Sequence, residues 1–545
     1  MSTPGAIPAP PVKERFDAAG RRVLLVCVAG GFTTLVDQSV LNTSIPALRE
    51  SLHAQPAHLQ WIVAGYSLAF GLALIPGGRL GDVRGRKWFF VGGLALFTVV
   101  SLLSATATEP WVLVAARLLQ GTGAGLVNSQ MIGTLQDVFR GQLRARALGM
   151  YAVTGGLAFA LGPPVGGAVI AAVGPEYGWR LTFLLNVPFG LATVVLAARH
   201  LPRPSPRARH ADLDLVGLLL VAALTLALML PFVRPPGWAG WAGFAAAAAV
   251  LLGALAGWQR RYARRGGHPL IHPALTRSAP YALGTAVAMA QFGSSLAAGL
   301  VLTMFLQDGL GLSPMGAALV ALPSAVAMGF ASAFAWRVVQ RFGHRTVTAA
   351  MCGSALVMLA GGLVAHWAPT GSLPWLLALL QLLGGTSIGL MSASNQAFVL
   401  RHAPAEAAGV GGAILQMAQR IAAAVGVSAL SGVYLRATGG GGGHRAAYAW
   451  ASGVCAAVAA LAVVASVLAG RATAREESAR VLAALDAASG GAPPEAAAPG
   501  TSTGGASGGG RPGDGLSGGG RAGDGGSPAG TPPGGSRAEG TRASG

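Results

Sequence analysis

The chain has 545 residues, of which 52% are hydrophobic and 10% are charged, and its mean hydropathy is +0.56. Soluble domains carry about a quarter charged residues, so this composition excludes an ordinary soluble protein and indicates that a lipid bilayer surrounds most of the chain. The formal net charge of +19 comes from Lys and Arg residues that lie between apolar segments and not in one patch, so we expect no nucleic-acid partner.

Fourteen apolar segments are long enough to cross a membrane as helices, since about 20 residues span a hydrocarbon core of about 30 Å. The predicted spans are 23–45, 60–80, 88–108, 111–131, 147–173, 180–198, 214–232, 239–258, 280–304, 315–336, 346–366, 374–396, 406–435 and 447–469. The sequence therefore predicts an all-α, multi-pass protein of the plasma membrane.

The connections between these spans alternate between rich and poor in Lys and Arg, and the rich set faces the cytoplasm. Residues 1–22 and the segment after the last span belong to the rich set, so both termini are predicted to be cytoplasmic. Residues 1–22 are polar and rich in proline and do not resemble a cleavable signal, so the first span is expected to be permanent. The poor set contains Arg49, Arg180, Arg234, Arg436 and Arg445.

Asp37 is a carboxylate deep inside the first span. Ionisable residues within a membrane are costly and mark ion or proton pathways, so Asp37 is expected to carry protons, with a purely structural ion pair as the alternative. A small, polar face of this helix is predicted to line a cavity, and it contains Gly30, Thr33, Thr34, Asp37 and Ser44.

The connection after the second span reads GGRLGDVRGRK, residues 77–87. Its glycines permit a tight turn and close helix approach, and Asp82 can pair with a base or cap a helix. One reading is a basic anchor at the cytoplasmic face. The pattern also resembles the signature loop of the major facilitator superfamily, which implies a cytoplasmic gate loop formed by Gly78, Leu80, Asp82, Gly85, Arg86 and Lys87.

The fourth span contains LVAARLLQGTGAG, residues 113–125, which resembles a further motif of that superfamily. Arg117, Gly121, Gly125 and Asn128 share one helix face, and an arginine at this depth needs a carboxylate, a carbonyl or water. We expect proton binding at Asp37 to release Arg117. The alternative is an arginine that snorkels to the membrane surface.

The fifth span carries GMYAVTGGLAFALGPPVGG, residues 149–167. Small residues at Ala158, Gly162 and Gly166 permit close helix packing, and Pro163 leaves a carbonyl unpaired and bends the helix. Generic packing would explain this pattern. It also resembles the motif of antiporters within the superfamily through Gly149, Gly162, Pro163, Gly166 and Gly167, although Ala158 stands where glycine is expected.

Further strings resemble the fourteen-helix drug:proton antiporter branch of the superfamily. They are VDQSVLNTSIP with Asp37, Asn42 and Pro46, then WRLTFLLNVPFG (179–190), FLQDGLGLSP (305–314), and AAGVGGAILQMAQRIAAAVG (407–426) with Arg420. The resemblance implies a major facilitator fold in a 6+2+6 arrangement. The implied domains are a cytoplasmic segment 1–22, a six-helix bundle 23–198, a linker 199–279 with two inserted helices, a second bundle 280–470 and a cytoplasmic tail 471–545.

The second bundle repeats the gate loop weakly as WRVVQRFGHR, residues 336–345, in which Gly343 aligns with Gly85 but Gln340 replaces Asp82. In the tail, a short helix is predicted over 471–488. The Gly/Pro/Ser-rich sequence beyond about 489 is predicted to be disordered.

No phosphate-binding loop is recognisable, because the lysines Lys13 and Lys87 precede Glu14 and Trp88. Neither a metal site nor a hydrolase triad is visible, so we expect no enzyme, cofactor or metal, and a proton gradient as the energy source. Candidate pocket residues against an apolar background indicate a small hydrophobic or amphiphilic substrate: Asn42, Gln120, Asn128, Gln291, Gln416 and Arg420.

These features favour a monomeric, proton-coupled exporter of drugs or antibiotics that works by alternating access. A transporter of the same fold for an endogenous solute, such as a peptide, siderophore or lipid, is the alternative. A channel would lack the coupling acid, and a membrane-bound enzyme would cluster polar residues at an interface. The identity of the substrate stays open.

Overall fold

The computed structural model describes residues 16–202, 212–404, 408–441 and 443–489, and the regular elements of these residues are all helical. The described residues up to Leu482 form one compact unit, and those from Ala483 to Ser489 belong to a second. The helices are α1 (Ala18–Ser51), α2 (Pro56–Arg84), α3 (Arg86–Ala105), α4 (Pro110–Val138), α5 (Gly141–Val173), α6 (Pro175–Leu184), α7 (Asn186–His200), α8 (Leu215–Val233), α9 (Trp238–Arg264), α10 (Pro273–Arg277), α11 (Ala279–Met304), a π-helical turn (Phe305–Gly309), α12 (Pro314–Phe342), α13 (Arg345–Trp367), α14 (Leu373–Arg401), α15 (Ala408–Gly439) and α16 (His444–Ser489).

Thirteen helical segments of the described residues are long and apolar enough to cross a membrane, with α6 and α7 counted as one segment. The remaining predicted span, 111–131, lies in α4, whose 29 residues include several glycines and polar side chains that lower its hydropathy. Helix α4 packs against α1, α2 and α3 in the same way as a spanning helix. The predicted all-α membrane fold is therefore confirmed, whereas the cytoplasmic position of the termini stays a prediction.

Two helix junctions depend on glycine. Residues 77–84 were predicted as part of a loop, but α2 continues to Arg84 and only Gly85 separates it from α3. Gly85 has φ 91°, and Gly343 has φ 56° at the junction of α12 and α13. Because other residues rarely adopt these angles, glycine is required at both places. Gly343 and Gly85, which align in the sequence, therefore both lie between consecutive helices.

Helices early in the chain pack mainly on each other, as do helices late in the chain. Helix α1 contacts α4, α5, α6 and α7, whereas α12 and α13 contact α14, and α11 contacts α15. Contacts between the early and late sets run through α2 with α15 and through α5 with α12. The domain boundaries expected at 23–198, 199–279 and 280–470 stay predictions.

Helices α8 and α9 are attached to α2 by Arg79. Its guanidinium donates to the backbone oxygens of Asp212, His268 and Pro269 at 2.7, 2.9 and 2.8 Å. Asp214, just before α8, connects this region to α9 and to the segment that follows α9. Its carboxylate accepts from Trp258 Nε1, Gln259 Nε2 and the amide of Leu270. The end of α2 that carries the predicted gate is therefore bound to the connections around the inserted helices.

The last helix differs from the prediction. The expected separate helix over 471–488 is a continuation of α16, which runs from His444 to Ser489 without a break. Alanine and charged residues with high helix propensity follow Gly470, and no proline interrupts them. Predicted disorder beyond about 489 falls outside the described residues.

Candidate functional site

A buried carboxylate and guanidinium lie between α1 and α4. Asp37 and Arg117 are 4% and 1% exposed, and Arg117 Nη1 donates to Asp37 Oδ2 at 2.7 Å. A lone charge at this depth costs several kcal/mol, roughly, and direct pairing offsets much of that cost. The two residues that we expected to act together are therefore in direct contact.

Amide side chains complete the hydrogen bonding of the pair. Asp37 Oδ1 accepts from Gln120 Nε2 at 3.1 Å and from Asn186 Nδ2 at 2.7 Å. Gln120 Oε1 accepts from Arg117 Nη1 at 2.7 Å, and its amide nitrogen also donates to Ser101 Oγ at 2.7 Å. Both carboxylate oxygens therefore have donors, as a buried carboxylate requires.

Asn186 reaches this cluster because the predicted span 180–198 is broken. Helix α6 ends at Leu184 and α7 begins at Asn186, two residues before Pro188. Proline lacks an amide hydrogen and clashes with the preceding turn, so it favours a break at this point. Sequence reasoning missed Asn186, although an asparagine within the apolar string WRLTFLLNVPFG was the available signal.

Arg117 is held on its other sides by a carbonyl and by aromatic rings. Its Nε donates to Ile62 O at 3.3 Å, and its guanidinium carbon lies 4.1 Å from the centre of the Tyr66 ring and 5.8 Å from that of Phe183. Cations over aromatic rings are stabilised most where water is excluded. The alternative of a snorkelling arginine is therefore wrong.

The face of α1 that carries Asp37 packs inside the protein and does not line the cavity. A side chain at Gly30 would meet the Phe90 ring at 2.6 Å, and the hydroxyls of Thr33 and Thr34 donate to carbonyls of α1 itself. The predicted lining by Gly30, Thr33, Thr34, Asp37 and Ser44 is therefore wrong. The cavity-facing residues of α1 are instead Val28, Leu35, Ser39, Asn42 and Thr43.

The cavity has a volume of about 1480 Å³ and lies between α1, α4 and α5 on one side and α11 to α16 on the other. Most of its wall is apolar or glycine. Among the described residues, its charged lining consists of Arg146 and Arg420, and no carboxylate contributes to it. Five predicted pocket residues lie in this wall: Asn42, Asn128, Gln291, Gln416 and Arg420.

Gln120 does not belong to the cavity wall, which corrects its assignment as a pocket residue. It is 0% exposed and bonds Asp37, Arg117 and Ser101 instead. The error arises because Gln120 is three residues after Arg117 and therefore on the same helix face, which is turned toward α1 and α3.

Arg420 of α15 lies in the cavity wall and is 8% exposed. Its Nη1 donates to Gln38 Oε1 of α1 at 2.7 Å, and its guanidinium carbon lies 3.9 Å from the centre of the Phe70 ring and 5.2 Å from that of Phe292. Gln38 was not predicted as a functional residue. It connects α1 to the late half of the chain.

The predicted helix-packing stripe of α5 lies against α1. A side chain at Gly162 would come within 2.3 Å of Ser39 Oγ, and one at Gly166 within 3.1 Å of Val40. Gly167 faces the backbone of Met315 in α12 instead, while Gly149 and Pro163 line the cavity. The small residues thus let α5 approach α1 on one side and α12 on the other.

Pro163 creates a specific contact between α5 and α1. Because proline has no amide hydrogen, the carbonyl of Phe159, four residues earlier, lacks its helical donor. Ser39 Oγ donates to this carbonyl at 3.2 Å. The unpaired carbonyl that the sequence predicted is therefore satisfied by the neighbouring helix.

The predicted gate residues form an ion-pair cluster at the ends of three helices. Arg86 Nη2 lies 2.5 Å from Asp82 Oδ1, and Arg86 Nε lies 2.9 Å from Asp137 Oδ2 of α4. Lys87 lies over the Trp88 ring, and Gly78 has open space beside it. The arrangement fastens α2, α3 and α4 to each other at this end.

Near the opposite end of the cavity, α1 contacts the π-helical turn. Arg49 and Asp308 form an ion pair at 3.0 and 3.1 Å, and Gln307 Nε2 donates to Thr43 O at 3.2 Å. The cavity wall extends the other way to Arg146 and Gly149 near the start of α5.

Comparisons with known proteins agree with this architecture. The family model for the Major Facilitator Superfamily matches residues 27–427. The chain is 34% identical over 431 residues to a probable actinorhodin transporter of Streptomyces coelicolor, which covers 78% of this chain and 73% of the relative. It is 28% identical over 421 residues to the tetracenomycin C resistance and export protein of Streptomyces glaucescens, with coverage of 75% and 74%.

A solved structure of similar fold is the peptide transporter POT in complex with sulfate. It superposes with a TM-score of 0.61 at 15% sequence identity, over 83% of this chain and 95% of that one. At this identity the likeness concerns the fold alone.

Proposed function

Because this chain belongs to the major facilitator superfamily and is therefore a multi-pass membrane transporter and not an enzyme, we propose that it exports a drug or antibiotic in exchange for protons. The names of its relatives support this class of substrate, since they denote antibiotic transport and export. The observation that carries the proton coupling is the buried pair of Asp37 and Arg117.

Proton binding would cancel the charge of Asp37 and weaken its attraction to Arg117. Arg117 would keep Gln120 Oε1 and the Ile62 carbonyl as acceptors, so it could stay buried. A change of a few kcal/mol in this contact is enough to shift a two-state equilibrium. A membrane potential adds about 2.3 kcal/mol per proton charge for each 100 mV, which supplies the work.

The two ends of the cavity support alternating access as part of this proposal. With the predicted orientation, the end near the Arg49–Asp308 pair is extracellular, and the end reached by Arg146 is cytoplasmic; we infer that the pair closes the extracellular end. The conformation is then inward-facing. Return to the outward-facing state requires the Arg49–Asp308 pair to separate, while the cluster around Arg86 holds α2, α3 and α4 as one body.

A susceptibility panel in a host that lacks its own pumps tests the proposal and identifies a substrate. We expect resistance to at least one antibiotic, and we expect everted vesicles to accumulate that compound only while a pH gradient is maintained. Accumulation that survives collapse of the gradient would contradict proton coupling. Competition by peptides, siderophores or lipids, in the absence of any resistance, would favour the endogenous-solute alternative.

A further inference from the structure

Two arginines are buried in the spans that surround the cavity, and among the described residues only one of them has a carboxylate partner. Arg117 has a carboxylate partner, Asp37, at 2.7 Å. Arg420 is also more than nine-tenths buried, yet no carboxylate among the described residues lies within ion-pair distance of it. A buried cation without a counterion is costly, so this position needs an explanation.

The neighbours of Arg420 compensate its charge only in part. One of its nitrogen atoms donates to Gln38 Oε1, and the rings of Phe70 and Phe292 flank the guanidinium. The amide nitrogen of Gln38 is itself buried without a hydrogen-bond partner among the described residues. Arg420 in the cavity wall and Gln38 directly behind it therefore both have donors and lack an anionic acceptor.

The rest of the cavity wall also lacks acidic groups among the described residues. Its described wall contains no Asp or Glu, and its polar groups are neutral amides and hydroxyls apart from Arg420 and Arg146. The acid that could attract a cation, Asp37, lies outside the wall and is neutralised by Arg117. A cationic molecule would thus meet Arg420 with no compensating charge.

We propose that Arg420 binds an anionic group of the transported molecule. The substrate class is then a large, mainly apolar compound that carries a carboxylate or an ionised acidic hydroxyl. The planar guanidinium can bind such a group through two parallel hydrogen bonds, while the apolar wall receives the rest of the molecule. This inference rests on the proposed transport function and specifies its substrate.

Equilibrium binding to the purified full-length protein in nanodiscs tests the inference without requiring transport. The probes are anthraquinone-2-carboxylate, its uncharged carboxamide, and the cation ethidium, at pH 7.5. We expect the carboxylate to bind about 10- to 100-fold more tightly than the carboxamide, the range that a hydrogen bond to a charged group supplies. Equal binding of the two anthraquinones, or preferred binding of ethidium, would overturn the proposal.

Substitutions at Arg420 locate the effect. In Arg420→Gln the preference for the carboxylate should vanish while carboxamide binding persists, which also shows that the cavity is intact, and Arg420→Lys should keep part of the preference. Arg436→Gln is the matched control, because Arg436 is exposed on the same helix and its side chain donates to the backbone oxygen of Gly432. A preference that survives in Arg420→Gln would contradict the assignment.

Binding and transport separate the two proposals. Carboxylate preference without proton-driven transport would refute the proposed coupling and leave the substrate class standing. Proton-driven transport of cations with no carboxylate preference would do the reverse.

Discussion

Asp37 and Gln38 are adjacent residues of α1, and each accepts a hydrogen bond from a different buried arginine. Asp37 binds Arg117 of α4, whereas Gln38 binds Arg420 of α15 in the cavity wall. Successive helical side chains point about 100° apart, which is why one helix can serve both partners. In the proposed mechanism, a shift of α1 on protonation of Asp37 would move Gln38 as well, and this helix would couple the proton site to Arg420 in the cavity wall.

The ion pair should contribute to stability mainly by avoiding a lone buried charge. Arg117→Gln leaves the Asp37 carboxylate uncompensated, and we expect a loss of about 3–5 kcal/mol, seen as a lower thermal transition in detergent. The double variant Asp37→Asn with Arg117→Gln removes both charges, so it should be more stable than Arg117→Gln alone. A double variant that is as unstable as the sum of both single variants would show that the pair is not coupled.

The contact between Ser39 and the Phe159 carbonyl should depend on Pro163. Ser39→Ala removes the donor, and we expect a cost of about 1 kcal/mol in the thermal stability of the purified protein. In a Pro163→Ala background the new amide at position 163 can bond the same carbonyl, so Ser39→Ala should cost clearly less. If Ser39→Ala costs the same in both backgrounds, the serine does not replace the missing helical donor.

The stability of the protein should fall on mild acidification because of His344, which lies between α12 and α13. Burial lowers the pKa of His344, and the charges of His402 and Arg401 lower it further, against the opposing effect of its hydrogen bond with Ser466 O at 2.7 Å. The folded state thus binds this proton less readily than the unfolded state. Stability is complete above the ordinary histidine pKa of about 6.5 and is lost as pH falls from there toward the lower folded pKa.

A pH series of thermal transitions between about 7.5 and 5.5 measures this effect around the ordinary histidine pKa. In His344→Gln the decline on acidification should be smaller than in the wild type, since glutamine does not titrate. His366→Gln is the control, because His366 is exposed at the end of α13. Equal declines in His344→Gln and the wild type would assign the pH dependence to other groups.

The spans could be predicted because a bilayer imposes one length and one polarity on every crossing helix. Helix α4 was also predicted as a span from its length, although its glycines and polar side chains lower its hydropathy. It packs against its neighbours like the more apolar helices. Helix ends were less predictable. The glycines of residues 77–84 indicated a loop, but α2 includes them as far as Arg84, and only Gly85 has a backbone conformation that ends the helix.

The partners at the site were harder to predict than its charged residues. Asp37 and Arg117 stand out because charge is rare in membranes. Periodicity shows which residues of α1 share a face, but it does not show whether that face meets the cavity or another helix. Asn186 and Gln38 were missed because uncharged amides are less conspicuous than charges in an apolar helix. Asn186 reaches Asp37 only because of the break between α6 and α7, and Gln38 is bound by Arg420 of α15, which is distant in the sequence.

Substrate-driven proton release in proteoliposomes tests proton coupling at Asp37 most directly. The assay uses a pH dye inside the vesicles and the compound identified by the susceptibility panel. It compares the wild type with Asp37→Asn and with Glu109→Gln, because Glu109 is an exposed acid before α4 whose side chain makes no capping hydrogen bond. We predict that Asp37→Asn still exchanges substrate across the membrane but moves no protons, while Glu109→Gln behaves as the wild type. Undiminished substrate-driven proton flux in a correctly inserted Asp37→Asn protein would contradict the proposed mechanism.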